Sequence, residues 1–281
     1  MAGAPSWTVR VVPNKFPALH TDATTGAESA DLHRVLPGYG FHEVIVESPR
    51  HDADLASMTD PEIEAVVLAY RDRSRHLLQQ PGIAAVVLFR NRGPQGGATL
   101  SHPHAQAVAL GLVPPTLGSL VECGQRYYDA HGRCATCDEI EIERTASVRI
   151  VEETAGFLAI VPFAASSPGE TWIVPKRHQA AFVDIGGPDL REFAHLLRRT
   201  LGRVRRAHDD PPYNFVIDSA GLDHIGAAHV HWRLRIVPHL VTEGGFELGA
   251  GMAINPSSPE DDAAGLRAAG NGNDTAGAAT Y

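Results

Sequence analysis

The sequence predicts an α+β fold made of two tandem copies of one unit, each an antiparallel sheet with a helix packed across it. Three observations carry this reading. The same order of short β-rich segments around one amphipathic helix occurs twice in the 281 residues. Ser-Pro-Arg-His at 48–51 is similar to Pro-Lys-Arg-His at 175–178, and His51 and His178 are each followed, 51 and 53 residues on, by a His-x-His pair, His102/His104 and His229/His231. A fixed long-range spacing of this kind marks an internal repeat. Finally, the apolar runs are only strand length, as at Ala84 to Phe89 and Phe157 to Val161.

The elements follow in order. Trp7 to Val12 is a β-rich run stopped by Pro13 and Asn14, and His20 to Gly40, rich in Thr, Ala, Gly and Asp without a sustained period, is expected to be a loop. Glu43 to Glu47 is a strand. Thr59, Asp60, Pro61 and Glu62 form a helix start, and Ile63, Val66, Val67, Tyr70, Leu77 and Leu78 give the helix its apolar stripe to about Gln80. Strands follow at Ile83 to Phe89 and His104 to Leu112, separated by the Gly-rich stretch Gly93 to Gly97. The second half repeats this with strands at Phe157 to Val161 and Thr171 to Val174, a helix from Pro188 to His208, and strands at Tyr213 to Ile217 and His229 to Val237. The expected units are residues 1–122 and 123–261. Residues 262–281, dominated by Ala, Gly, Asn and Asp, are expected to be a disordered tail.

Composition narrows the function. With 24 Lys+Arg against 33 Asp+Glu, a formal charge of −9, the chain lacks the basic footprint of a nucleic-acid binder. No stretch is apolar enough to span a bilayer, and Met1 to Trp7 has no charged n-region followed by an apolar h-region, so no secretory signal is expected there. Three cysteines, two of them in Cys134-x-x-Cys137, suit a reducing compartment, so the expected location is the cytoplasm. The 15 histidines are dispersed rather than tag-like.

Chemistry concentrates between Asn91 and Gln106. On a strand His102, His104 and Gln106 would share one face, because the side-chain period is two. The preceding glycines, Gly97 among them, would let backbone amides approach a phosphate, with the Thr99 hydroxyl beside them. A neutral imidazole attacking phosphorus splits a phosphoryl or nucleotidyl transfer into two easier steps. His104, mid-row, is the candidate nucleophile, and Gln106 would hydrogen-bond a non-bridging oxygen as charge develops there.

His-Pro-His-Ala-Gln at 102–106 preceded by Asn-Arg-Gly at 91–93 resembles the active-site segment of the galactose-1-phosphate uridylyltransferase family, the His-Pro-His-x-Gln branch of the histidine-triad (HIT) superfamily. Val-Arg-Val-Val-Pro-Asn-Lys-Phe-Pro-Ala-Leu at 9–19, His-Glu-Val-Ile-Val-Glu-Ser-Pro-Arg-His at 42–51 and Gly-Gly-Phe-Glu-Leu-Gly at 244–249 share the resemblance, which covers about residues 7–266. It implies two HIT-like units and a ping-pong UDP-glucose–hexose-1-phosphate uridylyltransferase of galactose metabolism. There His104 would take UMP from a UDP-sugar and pass it to a second sugar 1-phosphate. It also implies Asn14 near the ribose, Asn91, Gly97 and Thr99 near the phosphates, Glu247 near the sugar hydroxyls, and a homodimer. Gln106, where simple HIT hydrolases carry a third histidine, favours transfer over hydrolysis. The galactose enzymes place a glutamine six residues after the family glutamate, whereas Ala253 stands there here. The segment around Ile254-Asn255-Pro256 is similar to the branch that includes ADP-glucose phosphorylase, which makes an ADP-sugar or dinucleoside polyphosphate phosphorylase the alternative. A third reading is a catalytically idle nucleotide-sugar binding protein.

Cys134 and Cys137 have the spacing of a structural zinc site. Through the repeat His178 and His229 match His51 and His102, a pair that binds zinc in the family with two upstream residues, so the expected zinc site is Cys134, Cys137, His178 and His229, with His231 as the substitute for His229. Cys137 lies 25 residues before Pro162, the counterpart of Pro13, so the first-half counterpart of the cysteines falls upstream of Met1. His51 and His102 are therefore expected to be an incomplete first-half site.

Overall fold

The computed structural model describes residues 7–23, 28–30 and 32–270. Strands β1 (Arg10–Pro13), β4 (Gly40–Val46), β5 (Ala85–Arg92) and β6 (His104–Leu110) come from the first half. Strands β7 (Ile150–Glu153), β8 (Phe157–Ile160), β9 (Thr171–Pro175), β10 (Tyr213–Asp218) and β11 (Arg233–Pro238) come from the second. They form one antiparallel sheet in the order β1-β4-β6-β5-β10-β11-β9-β8-β7. The two expected sheets are thus a single sheet. Its order reads alike from both sides of the centre, β1-β4-β6-β5 on one and β8-β9-β11-β10 on the other, with β5 and β10 paired between them. A separate hairpin, β2 (Glu28–Ala30) with β3 (His33–Val35), lies in the stretch expected to be a loop.

Helices α1 (Asp60–Leu78) and α4 (Gly187–Ala207) cross the same face of the sheet, one over each half, and contact each other. The Thr59 N–H donates to Glu62 Oε2 at 2.8 Å and Pro61 occupies the first turn, which fixes where α1 begins. Period-two alternation sends Ala105, Ala107 and Ala109 of β6 and Leu234 and Ile236 of β11 into the core against these helices. Phe157, Phe182, Phe193 and Trp232 pack together there, and Trp232 Nε1 donates to Gln179 Oε1 at 2.8 Å. The opposite face of the first half, with His42, Val44 and Gln106, is left to the site.

Two helices were not expected: α2 (Pro115–His131) and α3 (Ala135–Ala146). Helix α2 runs across the expected boundary at residue 122, and α3 lays Ile140 over Leu158, Ile160, Val174 and Trp172, covering the second-half face. After a short helix α5 (Gly245–Ala250), α6 (Pro259–Gly270) corrects the expected disordered tail over 262–270. Its small residues let it sit close to α4: Ala263 and Leu266 are fully buried, Arg203 Nη1 donates to the Leu266 and Arg267 carbonyls, and Gly169 N–H donates to Asp262. Residues 271–281 lie outside the described residues. Among the described residues no helix is long and apolar enough to cross a membrane.

Candidate active site and metal centre

His104 opens β6 and lines a cleft of about 610 Å3 together with Arg90, Asn91, Thr99 and His102. His104 as a whole is 8 % exposed, so most of the residue is held by its surroundings. Its Nδ1 lies 2.8 Å from the His102 carbonyl oxygen. A carbonyl only accepts, so Nδ1 carries the proton and the neutral ring keeps its lone pair on Nε2. That is the form a nucleophilic imidazole needs. His102 sits just before the strand. Its Nε2 donates to the Ser48 carbonyl at 2.7 Å, and its Nδ1 lies 3.1 Å from His51 Nδ1. The structure therefore brings His51 and His102 together, as two donors without a third metal-ligating residue among those described.

Gln106 lies two residues further along the same face of β6, in a polar cluster with Asn14 and His42 that adjoins the His104 cleft. His42, which sequence reasoning did not single out, lies 2.8 Å through Nε2 from Gln106 Oε1. Only the β4·β6 register, which sets Val44 opposite Gln106 and His42 opposite Val108, shows that the two side chains are diagonal neighbours on one face.

The Gly-rich stretch is a turn closed by its own amides. Gly96 and Ala98 N–H donate to the Gly93 carbonyl, both at 3.1 Å, and Gly97 N–H donates to Pro94 O at 2.9 Å. These three amides are spent on the turn, not held out toward the cleft. Gly93 and Gly97 have φ of +75° and +78°, and a Cβ on Gly96 would stand 2.5 Å from the Arg92 carbonyl, so glycine is required by shape. The second half pins this turn: Asn214 Nδ2 donates to Asn91 Oδ1 at 2.8 Å and to Gly96 O at 2.7 Å, and His239 holds Asn214 Oδ1 at 2.5 Å.

Under the cleft lies a buried charge network. Glu47 accepts from Tyr70 Oη and, at 3.0 and 3.1 Å, from Arg90 Nε, while Arg90 Nη1 donates to Tyr213 Oη at 2.8 Å. Burial is the largest single effect and opposes the Arg90 charge, but Glu47, Tyr213, Tyr70 and Asp54 together outweigh it and hold the guanidinium above its ordinary value. Burial would raise the Asp54 carboxyl; the Arg90 guanidinium, the Ala56 amide, Arg92 and Arg205 together hold it below the usual carboxylate range. Glu247 caps α5 by accepting from Gly244 N–H at 3.0 Å and lines a second cleft of about 1030 Å3, whose lining includes Gln95, the neighbour in sequence of Pro94 in the first.

The metal centre corrects the expected ligand set. Sγ of Cys134 and Cys137 and a nitrogen each of His178 and His231 lie within 4.8 Å of one another. The separations of Cys137 Sγ from His178 and His231 Nδ1, 3.5 and 3.6 Å, are close to the roughly 3.3–3.8 Å edge that bonds of about 2.0–2.3 Å give a tetrahedral zinc site. His231 Nε2 donates to the Pro175 carbonyl at 2.9 Å and His178 Nε2 to the Ala227 carbonyl at 3.2 Å, which leaves both Nδ1 lone pairs facing the thiols. The closeness of the two sulfurs pulls the Cys134 thiol far below the ordinary thiol range, with His231 acting in the same direction, and together with burial pushes Cys137 up. The residues thus fit a structural zinc ion. His229 is not among them: its ring packs by His224, and its buried Nε2 has no partner.

The reason is a two-residue shift in the repeat. His231 reaches the Pro175 carbonyl as His102 reaches that of Ser48, so the counterpart of His102 is His231. The counterparts of His104 and Gln106 are then Arg233 and Arg235, both bound to Asp218 and with Arg233 stacked on Trp172 at 3.8 Å. The position of His104 is filled by a histidine only in the first half.

Comparison with known proteins gives the same picture. The galactose-1-phosphate uridyl transferase N-terminal domain family matches residues 7–114. The chain is 34% identical to the ADP-glucose phosphorylase of Arabidopsis thaliana over 94% of its length and 75% of the relative's. It is 30% identical to the galactose-1-phosphate uridylyltransferase of Thermotoga maritima over 90% and 82%. A crystal structure of the Arabidopsis thaliana ADP-glucose phosphorylase with bound ADP-glucose, 33% identical, superimposes with a TM-score of 0.84, covering 94% of this chain and 83% of that one. Sequence motifs, sheet and relatives agree that this chain belongs to the galactose-1-phosphate uridylyltransferase family.

Proposed function

We propose that the chain is a nucleotidyltransferase that moves UMP between UDP-glucose and galactose 1-phosphate through a covalent nucleotidyl-His104. One observation carries the reading: the Nδ1–H of His104 is tied to the His102 carbonyl, leaving a bare Nε2 on a ring that lines the cleft. The Nε2 lone pair attacks the α-phosphorus of the nucleotide sugar, and the bond from that phosphorus to the bridging oxygen breaks, so sugar 1-phosphate departs with the electron pair. A phosphate oxygen of the acceptor then attacks the same phosphorus, the P–N bond breaks, and the imidazole lone pair is restored. The Gln106 amide stabilises charge on the non-bridging oxygens. Asn14 is assigned to the ribose, Asn91 and Thr99 to the phosphates, Gly97 to the turn that shapes the phosphate side of the cleft, and Glu247, across the turn, to the sugar. Zinc held by Cys134, Cys137, His178 and His231 has a structural role.

A second reading, ADP-glucose phosphorylase with inorganic phosphate as acceptor, is favoured by the 34% identity to the plant enzyme and by Ala253. Incubation with UDP-glucose or ADP-glucose labelled at the α-phosphate separates the two. Base-stable, acid-labile label on the protein from one nucleotide and not the other names the base, and His104→Ala takes up none. Label retained by His104→Ala sinks the mechanism, and saturable binding without label marks an idle binding protein.

A further inference from the structure

We infer that His42 is a positioning residue that sets which end of the Gln106 amide faces the reacting phosphate; this rests on the nucleotidyl-transfer reading for its consequence, though not for its geometry. The argument starts from a group whose polarity is fixed. The backbone N–H of Ala18 lies 3.1 Å from His42 Nδ1 and can only donate. His42 Nδ1 therefore accepts, the neutral ring carries its proton on Nε2, and Nε2–H donates to Gln106 at 2.8 Å. Only the oxygen of the amide can receive that proton.

Asn14 adds to the same constraint. Its Oδ1 is engaged by Phe16 N–H at 2.9 Å, so its Nδ2 is the end turned toward the pair, 3.5 Å from Gln106 Oε1 and 3.0 Å from His42 Nε2, where two N–H groups sit side by side and Gln106 Oε1 is the acceptor open to both. A flipped Gln106 would place its NH2 against two donors. The chain Ala18 N–H, His42 and Gln106 thus holds Oε1 inward and presents the Nε2 protons outward, the polarity an anionic phosphate oxygen requires. It also joins the Asn14 to Leu19 segment to the catalytic strand, since the imidazole bridges Ala18 on one side and β6 on the other.

Two measurements test this. The first reads the tautomer in the intact wild-type protein from imidazole nitrogen shifts, with His42 assigned by the loss of its signals in His42→Gln. An Nε2–H tautomer is expected, and an Nδ1–H tautomer overturns the inference whether or not the protein transfers nucleotide. The second is single-turnover formation of the nucleotidyl adduct, with folding followed by melting temperature. His42→Phe should slow it about 10- to 100-fold, while nucleotide-sugar affinity, measured in the His104→Ala background, changes less than about threefold. His42→Gln, which keeps a donor, should recover part of the rate. The His42→Phe/Gln106→Ala double variant should be no slower than Gln106→Ala, because both act through one amide. A parental rate in His42→Phe, or multiplied losses in the double variant, overturns the inference. Absence of any adduct in the wild type instead sinks the transfer reading and leaves the tautomer result to decide this one.

Discussion

Arg90→Met is the most informative test of how the cleft is supported. Glu47 and Arg90 are 1 % and 3 % exposed, so neither charge is screened by water. Removing the guanidinium strands Glu47 with a single remaining donor, Tyr70, and takes from Tyr213 Oη its partner. Breaking a buried pair from one side costs about 3–5 kcal/mol, and an orphaned buried hydroxyl costs about 1–3 kcal/mol. Since such losses overlap, the expected destabilisation is about 4 kcal/mol or more by urea unfolding. The decisive feature is a change of sign. Glu47→Gln alone should destabilise, because it weakens a charge-assisted pair; in the Arg90→Met background it should stabilise by about 2 kcal/mol, because it discharges the stranded carboxylate. A loss below about 1 kcal/mol for Arg90→Met, or Glu47→Gln lowering stability in both backgrounds, would refute the reasoning.

Other outcomes follow from the same geometry. Metal analysis should give near one equivalent of zinc for the parent and for His229→Ala, and little for His231→Ala or Cys134→Ser; zinc lost with His229 and kept without His231 would restore the ligand set expected from sequence. Leu266→Ala should cost about 2–5 kcal/mol, since the side chain is fully buried against the body of the fold; an unchanged unfolding midpoint would mean that α6 does not dock. The Asp54 carboxyl is held below its unfolded value near 3.8, so its contribution is present above that pH and is lost as the pH falls through the lower folded value. Asp54→Asn should therefore narrow its stability gap to the parent below about pH 4, and a gap that widens in acid contradicts the sign.

The sequence exposes some of this directly and hides the rest for identifiable reasons. The capped stripe of α1 and the alternating alanines of β6 are patterns of period, readable without a partner. Helix α3 is masked because Glu139-Ile140-Glu141-Ile142 alternates like a strand, while the helix buries Ile140 and leaves Ile142 61 % exposed. Helix α6 is masked by its small residues, which look like a solvated tail until α4 is placed against them. The histidine spacing locates both His-x-His pairs correctly, but a spacing count cannot reveal a two-residue shift between halves; only the carbonyls of Ser48 and Pro175 show which ring answers to which. His42 has no local signal, since its role comes from strand register and from an amide 24 positions away in the chain.

Because β5 and β10 meet at the middle of one sheet, a side chain from the later half, Asn214, clamps the turn beside the cleft that His104 of the earlier half lines. Covalent continuity frees the two sides from having to be alike. An assembly of identical halves would need every residue of the cleft to serve also as buttress, whereas here Arg233 and Arg235 form a strut locked to Asp218, and the half that carries the Cys134, Cys137, His178 and His231 cluster braces a cleft lined mainly by the other. Severed at the connection between them, neither fragment would hold a complete reaction chamber.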